Sequence, residues 1–420
     1  MSDFETVAAL FGGLLMFGAL ISGLVHRSFL ALTPVFVLLG FALGHGGLGV
    51  LELDAQSGFV EILAITALVV ILFRDGLEIE EEMLRTAWHL PLRKLVLAMP
   101  ITAVIVALAA KALTGLSWTE AFLLGALLSP TDPVLSSGVV TNPRVPRLIR
   151  HSLNLESGMN DGLALAPVLA LIAALQVGSG DFVWWRFVLQ DVGVGLAFGL
   201  VIGVVASLLL PDADRLGEGI PAHQRALYAL GVAFLTYGTT VLPPHGNGLI
   251  AVFVCAIVFG IRRPDVAHVF VDRAQDLVEI VKLGIFVVFG SLLTLHGLFG
   301  EGLAAVAIVL VTLLVARPVA VWLALAGTRS DRYATAFMAW FGPKGVATMT
   351  FALLVLAAGL QASSTLFDLA ALVVVVSTVA HGLTDAPGVD WIAARLGVPD
   401  GDADGGDDDA AQRDLDERRA

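Results

Sequence analysis

Runs of about twenty apolar residues, the length an α-helix needs to cross a ~30 Å hydrocarbon core, recur along the whole chain. Short segments rich in Gly, Pro and charge separate them. The pattern predicts about thirteen transmembrane helices, over 5–25, 29–45, 58–79, 94–114, 118–138, 147–177, 184–209, 223–242, 246–261, 277–297, 302–326, 333–359 and 364–386. The fold class is therefore an all-α polytopic membrane protein, with a transmembrane domain over 1–386 and a tail over 387–420.

Composition agrees, since 57% of the residues are hydrophobic and 15% charged, which excludes a soluble globular chain. Lys and Arg gather in cytoplasmic loops while Asp and Glu carry little topological information. Alternate loops hold Arg27; Arg85, Arg93 and Lys94; Arg144, Arg147 and Arg150; Arg215 and Arg225; Arg262, Arg263 and Arg273; Arg329 and Arg332. The intervening loops hold only Lys111 and Arg186, so the N-terminus is expected outside and the C-terminus in the cytoplasm of a prokaryotic plasma (inner) membrane.

Much of the net charge of −13 sits in the Gly/Ala/Asp-rich segment 400–420, which cannot bury enough surface to fold and is expected to be disordered. A single cysteine, Cys255, excludes an intramolecular disulfide. The sequence has no Walker-type phosphate loop. The expectation is a secondary transporter or a channel rather than an enzyme, with no cofactor and with neither nucleotide nor nucleic acid as partner.

An ionisable side chain at the bilayer centre costs roughly 2.5 to 3.5 kcal/mol on insertion scales, so each needs a partner or a function. In Ser129-Pro130-Thr131-Asp132-Pro133 two prolines bracket a Thr-Asp pair at the middle of the fifth span. They break the hydrogen-bond ladder and free carbonyl oxygens of the kind a hard cation prefers. The sixth span carries Glu156, Ser157, Asn160 and Asp161. Helical spacing sets Ser157 one turn from Asp161 and Glu156 one turn from Asn160.

The twelfth span is broken again at Gly342-Pro343-Lys344-Gly345, and by the loop charges it runs opposite to the fifth. Two discontinuous helices of opposite direction mark the midplane site of inverted-repeat transporters. Smaller expectations attach to other charges. Asp75 and Glu78 would line a cytoplasmic funnel, with Arg74 an alternative ion-pair partner. Arg317 would form a buried structural pair, Glu279 and Lys282 would pair one turn apart, and His381 would be a satisfied buried histidine.

Together these segments, with Arg317-Pro318 and Phe73-Arg74-Asp75-Gly76-Leu77-Glu78, resemble the monovalent cation:proton antiporters of the NhaP type over residues 5–386. The resemblance implies the antiporter fold, a homodimer in membrane lipid, a six-helix core with site helices around 118–177 and 333–359, and an elevator-like movement of that core. It implies that Na+ (or K+ or Li+) and H+ compete for Asp161, joined by Asp132, Ser157 and a Thr131 carbonyl, with Asn160 beside it. Glu156 would tie Asn160 to a cationic residue of the twelfth span; that position is usually arginine and here is Lys344. No metal is implied beyond the transported Na+ or K+. The alternative readings are a cation channel, against which the inverted pair of broken helices stands, and a sodium-coupled symporter.

Overall fold

The computed structural model describes residues 12, 13, 16, 20, 32–51, 53–79, 89–132, 137–178, 181–211, 220–243, 245–328 and 330–397. Most of the predicted first span, Arg27, Arg85, Pro133, Arg215, Arg329 and the acidic segment 400–420 lie outside the described residues. The described chain is helical, with no strand among the described residues.

Thirteen helices matter here. α1 is Leu32–Leu43, α2 Gly58–Leu77, α3 Leu90–Leu113, α4 Trp118–Leu127 and α5 Arg147–Val177. α6 is Trp184–Leu209, α7 Ala222–Val241, α8 Gly248–Arg262 and α9 Pro264–Ser291. α10 is Leu303–Leu325, α11 Arg332–Trp340, α12 Val346–Ala357 and α13 Ser363–Leu396. Five of them, α3, α5, α6, α10 and α13, are long and apolar enough to cross a membrane alone. The shorter apolar helices include α4 and α12, each half of a span.

The helices fall into two packed groups. In one, α6 and α8, α1 and α9, α2 and α8, and α7 with α8 and α9 make the main contacts. Gly195, Gly199 and Gly203 of α6 lie one turn apart, where a Cβ would meet the backbone of α8, so the two helices approach closely. In the other group α3 packs on α4 and α10, α4 on α5, α10 on α11, and α12 on α13. The groups meet where α12 touches α2 and α9 and where α5 touches α2 and α8.

Two boundaries differ from the sequence pattern. α9 begins at Pro264, well before the predicted 277, because its first three turns carry a polar face that reads as loop. α13 runs on to Leu396, past residue 386 and through Pro387.

Candidate ion-binding site

The two predicted breaks are real and they face each other. Helix α4 stops at Leu127, and Leu128 to Asp132 continue as irregular backbone; α11 stops at Trp340 and α12 starts at Val346. Proline explains both, since it lacks the donor an unbroken ladder needs. The broken ends exchange caps. Lys344 Nζ donates to the carbonyls of Ser129 (3.3 Å) and Pro130 (3.0 Å) just beyond the C-terminus of α4. In return Asp132 Oδ2 accepts from Val346 N (3.3 Å), the first amide of α12, and Asp132 N donates to Pro343 O (2.8 Å). A cation at a helix C-terminus and an anion at a helix N-terminus are each the favourable choice. Gly345 makes this approach feasible, because a Cβ there would lie 2.3 Å from that of Asp132.

Helix α5 runs past this crossing and sorts its polar residues as the spacing predicts. Glu156 and Asn160 turn into the protein. Asn160 Nδ2 donates to the Thr131 carbonyl (2.7 Å) and to Thr131 Oγ1 (3.1 Å), which fixes the irregular backbone. Glu156 Oε2 accepts from Lys94 Nζ (2.7 Å) and Oε1 from Arg317 Nη1 (2.9 Å). Lys94 also donates to Ser152 O, and Arg317 Nη2 to the carbonyls of Met338 and Phe341 at the end of α11.

Both cations stand at π-helical turns, Lys94–Ala98 within α3 and Val311–Ala316 just before Arg317 in α10. Such turns redirect side chains and recur at functional sites.

On its other stripe α5 presents Ser157 and Asp161 to a cavity of about 680 Å³, which Asp132, Asp75, Glu78 and Lys282 also line. Asp161 is buried, and its Oδ1 makes no hydrogen bond. A buried carboxylate oxygen left without a partner forfeits its hydration and needs a counter-charge or a proton. Arg74 and Glu78 form the expected ion pair, one turn apart at the end of α2 at 2.6 Å, and Asp75 and Glu78 both line the cavity.

The structure thus brings Asp161, Asp132, Ser157, Asp75 and Glu78 to one cavity. It places Thr131, Asn160, Glu156, Lys344 and Arg317 behind it, all buried. Three expectations need correction. Lys344 does not carry Glu156; it caps α4, and the expected arginine partner of Glu156 is Arg317, from α10. Lys94, read as a loop charge, is 1% exposed and forms the second arm of the Glu156 pair. Lys282, expected to pair with Glu279, faces the cavity instead.

The available signal for Lys94 was its neighbour: a carboxylate buried in the membrane has two oxygens to satisfy. His381 is buried and bonded as expected, to the carbonyls of Ser377 and Trp340.

Comparison with known proteins follows the same lines. The sequence matches the family model of the transmembrane sodium/hydrogen exchanger over residues 13–391. It is 28% identical over 371 residues to the K(+)/H(+) antiporter NhaP2 of Shewanella oneidensis, covering 86% of this chain and 63% of that protein. It is 27% identical over 280 residues to the Na(+)/H(+) antiporter NhaP of Pseudomonas aeruginosa, covering 62% of this chain and 64% of that one. The chain spans less than two thirds of the length of these relatives.

The structure of the sodium proton antiporter MjNhaP1 from Methanocaldococcus jannaschii has the same fold, with a TM-score of 0.78 at 20% identity over 94% of this chain and 99% of that one. On the match over residues 13–391 the chain belongs to the transmembrane sodium/hydrogen exchanger family.

Proposed function

We propose that the chain exchanges a monovalent cation, Na+ or K+, for protons across the prokaryotic plasma membrane, with both ions competing for Asp161. The observation that carries this reading is the buried, unbonded Oδ1 of Asp161 in a cavity shared with Asp132 and Ser157, beside crossed broken helices. An ion entering there meets two carboxylates and a hydroxyl, the oxygen donors a hard cation takes. A proton satisfies the same Asp161 oxygen by other means, so occupancy by one excludes the other. Coupling follows if only the neutralised site crosses between faces.

The cavity is lined by Thr141, Gly260, Ile261 and Pro264, in the same chain segments as Arg144, Arg262 and Arg263. By the loop-charge rule that end is cytoplasmic, with the N-terminus outside and the C-terminus inside. Asp75 and Glu78 then supply the negative field that gathers cations at the mouth. Relatives named as K(+)/H(+) and Na(+)/H(+) antiporters support the class of exchange.

The test is cation-induced proton movement in everted membrane vesicles with Na+, K+ and Li+ added in turn. We expect the wild type to dissipate the proton gradient for at least one of them and Asp161→Asn, present in equal amount, to fail. No response from a wild type that is inserted overturns the reading, and current without proton movement points to a channel.

A further inference from the structure

Resting on that reading, we infer that Lys282 is a tethered competitor for the cation site: its ammonium occupies the cavity field of Asp161, Asp132 and Asp75 and sets the cation concentration needed to fill it. Four other cations surround the site, and each is committed. Arg74 is held by Glu78, Lys94 and Arg317 by Glu156, and Lys344 by two carbonyls. Lys282 lines the cavity, is half-buried, and makes no hydrogen bond or ion pair among the described residues. It shares that cavity with Asp161 and Asp75.

An ammonium on a four-carbon stem presents the same single charge as a transported cation and has the same appetite for oxygen acceptors. It can lean toward the carboxylates when they are empty and must yield when an ion arrives. Every such exchange raises the concentration at which the ion wins. The titratable groups facing it come from four elements: Asp75 and Glu78 at the end of α2, Asp132 on the broken segment after α4, Asp161 on α5, and His268 and Asp272 on its own helix.

Helix placement adds direction. Lys282 belongs to α9, whereas Asp161 and Asp132 belong to α5 and the broken segment of the opposite group. Any movement of one group past the other separates ammonium from carboxylate. The competition therefore acts on the face to which this cavity opens and is relieved on the other.

The measurement is the half-saturating Na+ or K+ concentration for proton exchange in everted vesicles, which expose the cytoplasmic face. With Lys282→Gln we expect it to fall about fivefold or more, in the range of ordinary site-to-site coupling, while the maximal rate changes by less than that factor. Lys282→Arg should stay near the wild type. Lys282→Cys, in a chain whose other cysteine, Cys255, is buried, gives an independent arm. Aminoethyl methanethiosulfonate, which restores a positive charge, should return the wild-type value, and methyl methanethiosulfonate should not.

An unchanged or raised half-saturating concentration in Lys282→Gln, or equal effects of the two reagents, overturns the inference. So does failure of both variants to reach the membrane, which would make the ammonium a folding requirement. If wild type exchanges and Asp161→Asn does not, these outcomes bear on Lys282 alone; if wild type does not exchange, the antiport reading itself falls.

Discussion

Single residues in this protein divide by whether a charge is spent on structure or left for the ion. Glu156 is spent. Its two oxygens hold Lys94 and Arg317, and through them α3, α10 and the end of α11 are drawn onto α5. Removing its charge strands two buried cations, a change that costs about 3–5 kcal/mol even for one uncompensated partner. We therefore expect Glu156→Gln to lower the thermal unfolding midpoint of the purified protein sharply. Lys94→Met should lower it less, because Arg317 still answers the carboxylate; equal midpoints for the two would contradict this account.

The sequence exposed Glu156 as a buried carboxylate but not its partners. Periodicity speaks about neighbours within one helix, and Lys94 and Arg317 lie 62 and 161 residues away. The same limitation misplaced Lys282, since spacing alone offered Glu279 as its mate.

At the scale of elements the breaks were legible and their meeting was not. Proline and glycine act locally, so the interruptions at Pro130 and Pro343 follow from the chain itself. That Lys344 would cap α4 while Asp132 caps α12 depends on how two segments some two hundred residues apart cross. Helix α9 was underestimated for a related reason: Asp272, Arg273 and Asp276 make its first turns polar on one face, and a hydropathy window averages over faces.

The crossing gives a sharp test. Gly345→Ala places a methyl 2.3 Å from the Cβ and 2.4 Å from Oδ2 of Asp132. It should abolish exchange in everted vesicles while the protein still inserts. Gly231→Ala, on α7 where a Cβ meets nothing within 4 Å, should exchange as wild type. Full activity in Gly345→Ala would mean that the tight crossing is not needed for transport.

At the scale of the whole molecule, the two groups of helices leave between them a cavity that reaches Ser157 and Asp161 but not Asn160. Accessibility follows that geometry. In a Cys255→Ser background, Ser157→Cys should react with a membrane-impermeant maleimide in everted vesicles and Asn160→Cys should not, being 2% exposed. Labelling of Ser157→Cys only from right-side-out vesicles would reverse the orientation derived from the loop charges. The division into apolar spans was readable because lipid forces every span to satisfy its own backbone. The grouping of spans was not, because helices of either group look alike to hydropathy.

The exchanged caps also decide where this molecule is able to shear. Pulling α4 away from α12 would bare a helix end on each side at once and cast a lysine and an aspartate loose in a low-dielectric interior. The seam between α5 and α12 on one side and α2, α8 and α9 on the other contains the cavity instead of a clasp of this kind. On the proposed exchange, the motion that carries Asp161 from one face to the other would slip along that second seam, and the broken helices would travel as a closed clasp rather than hand the ion from one half to the other.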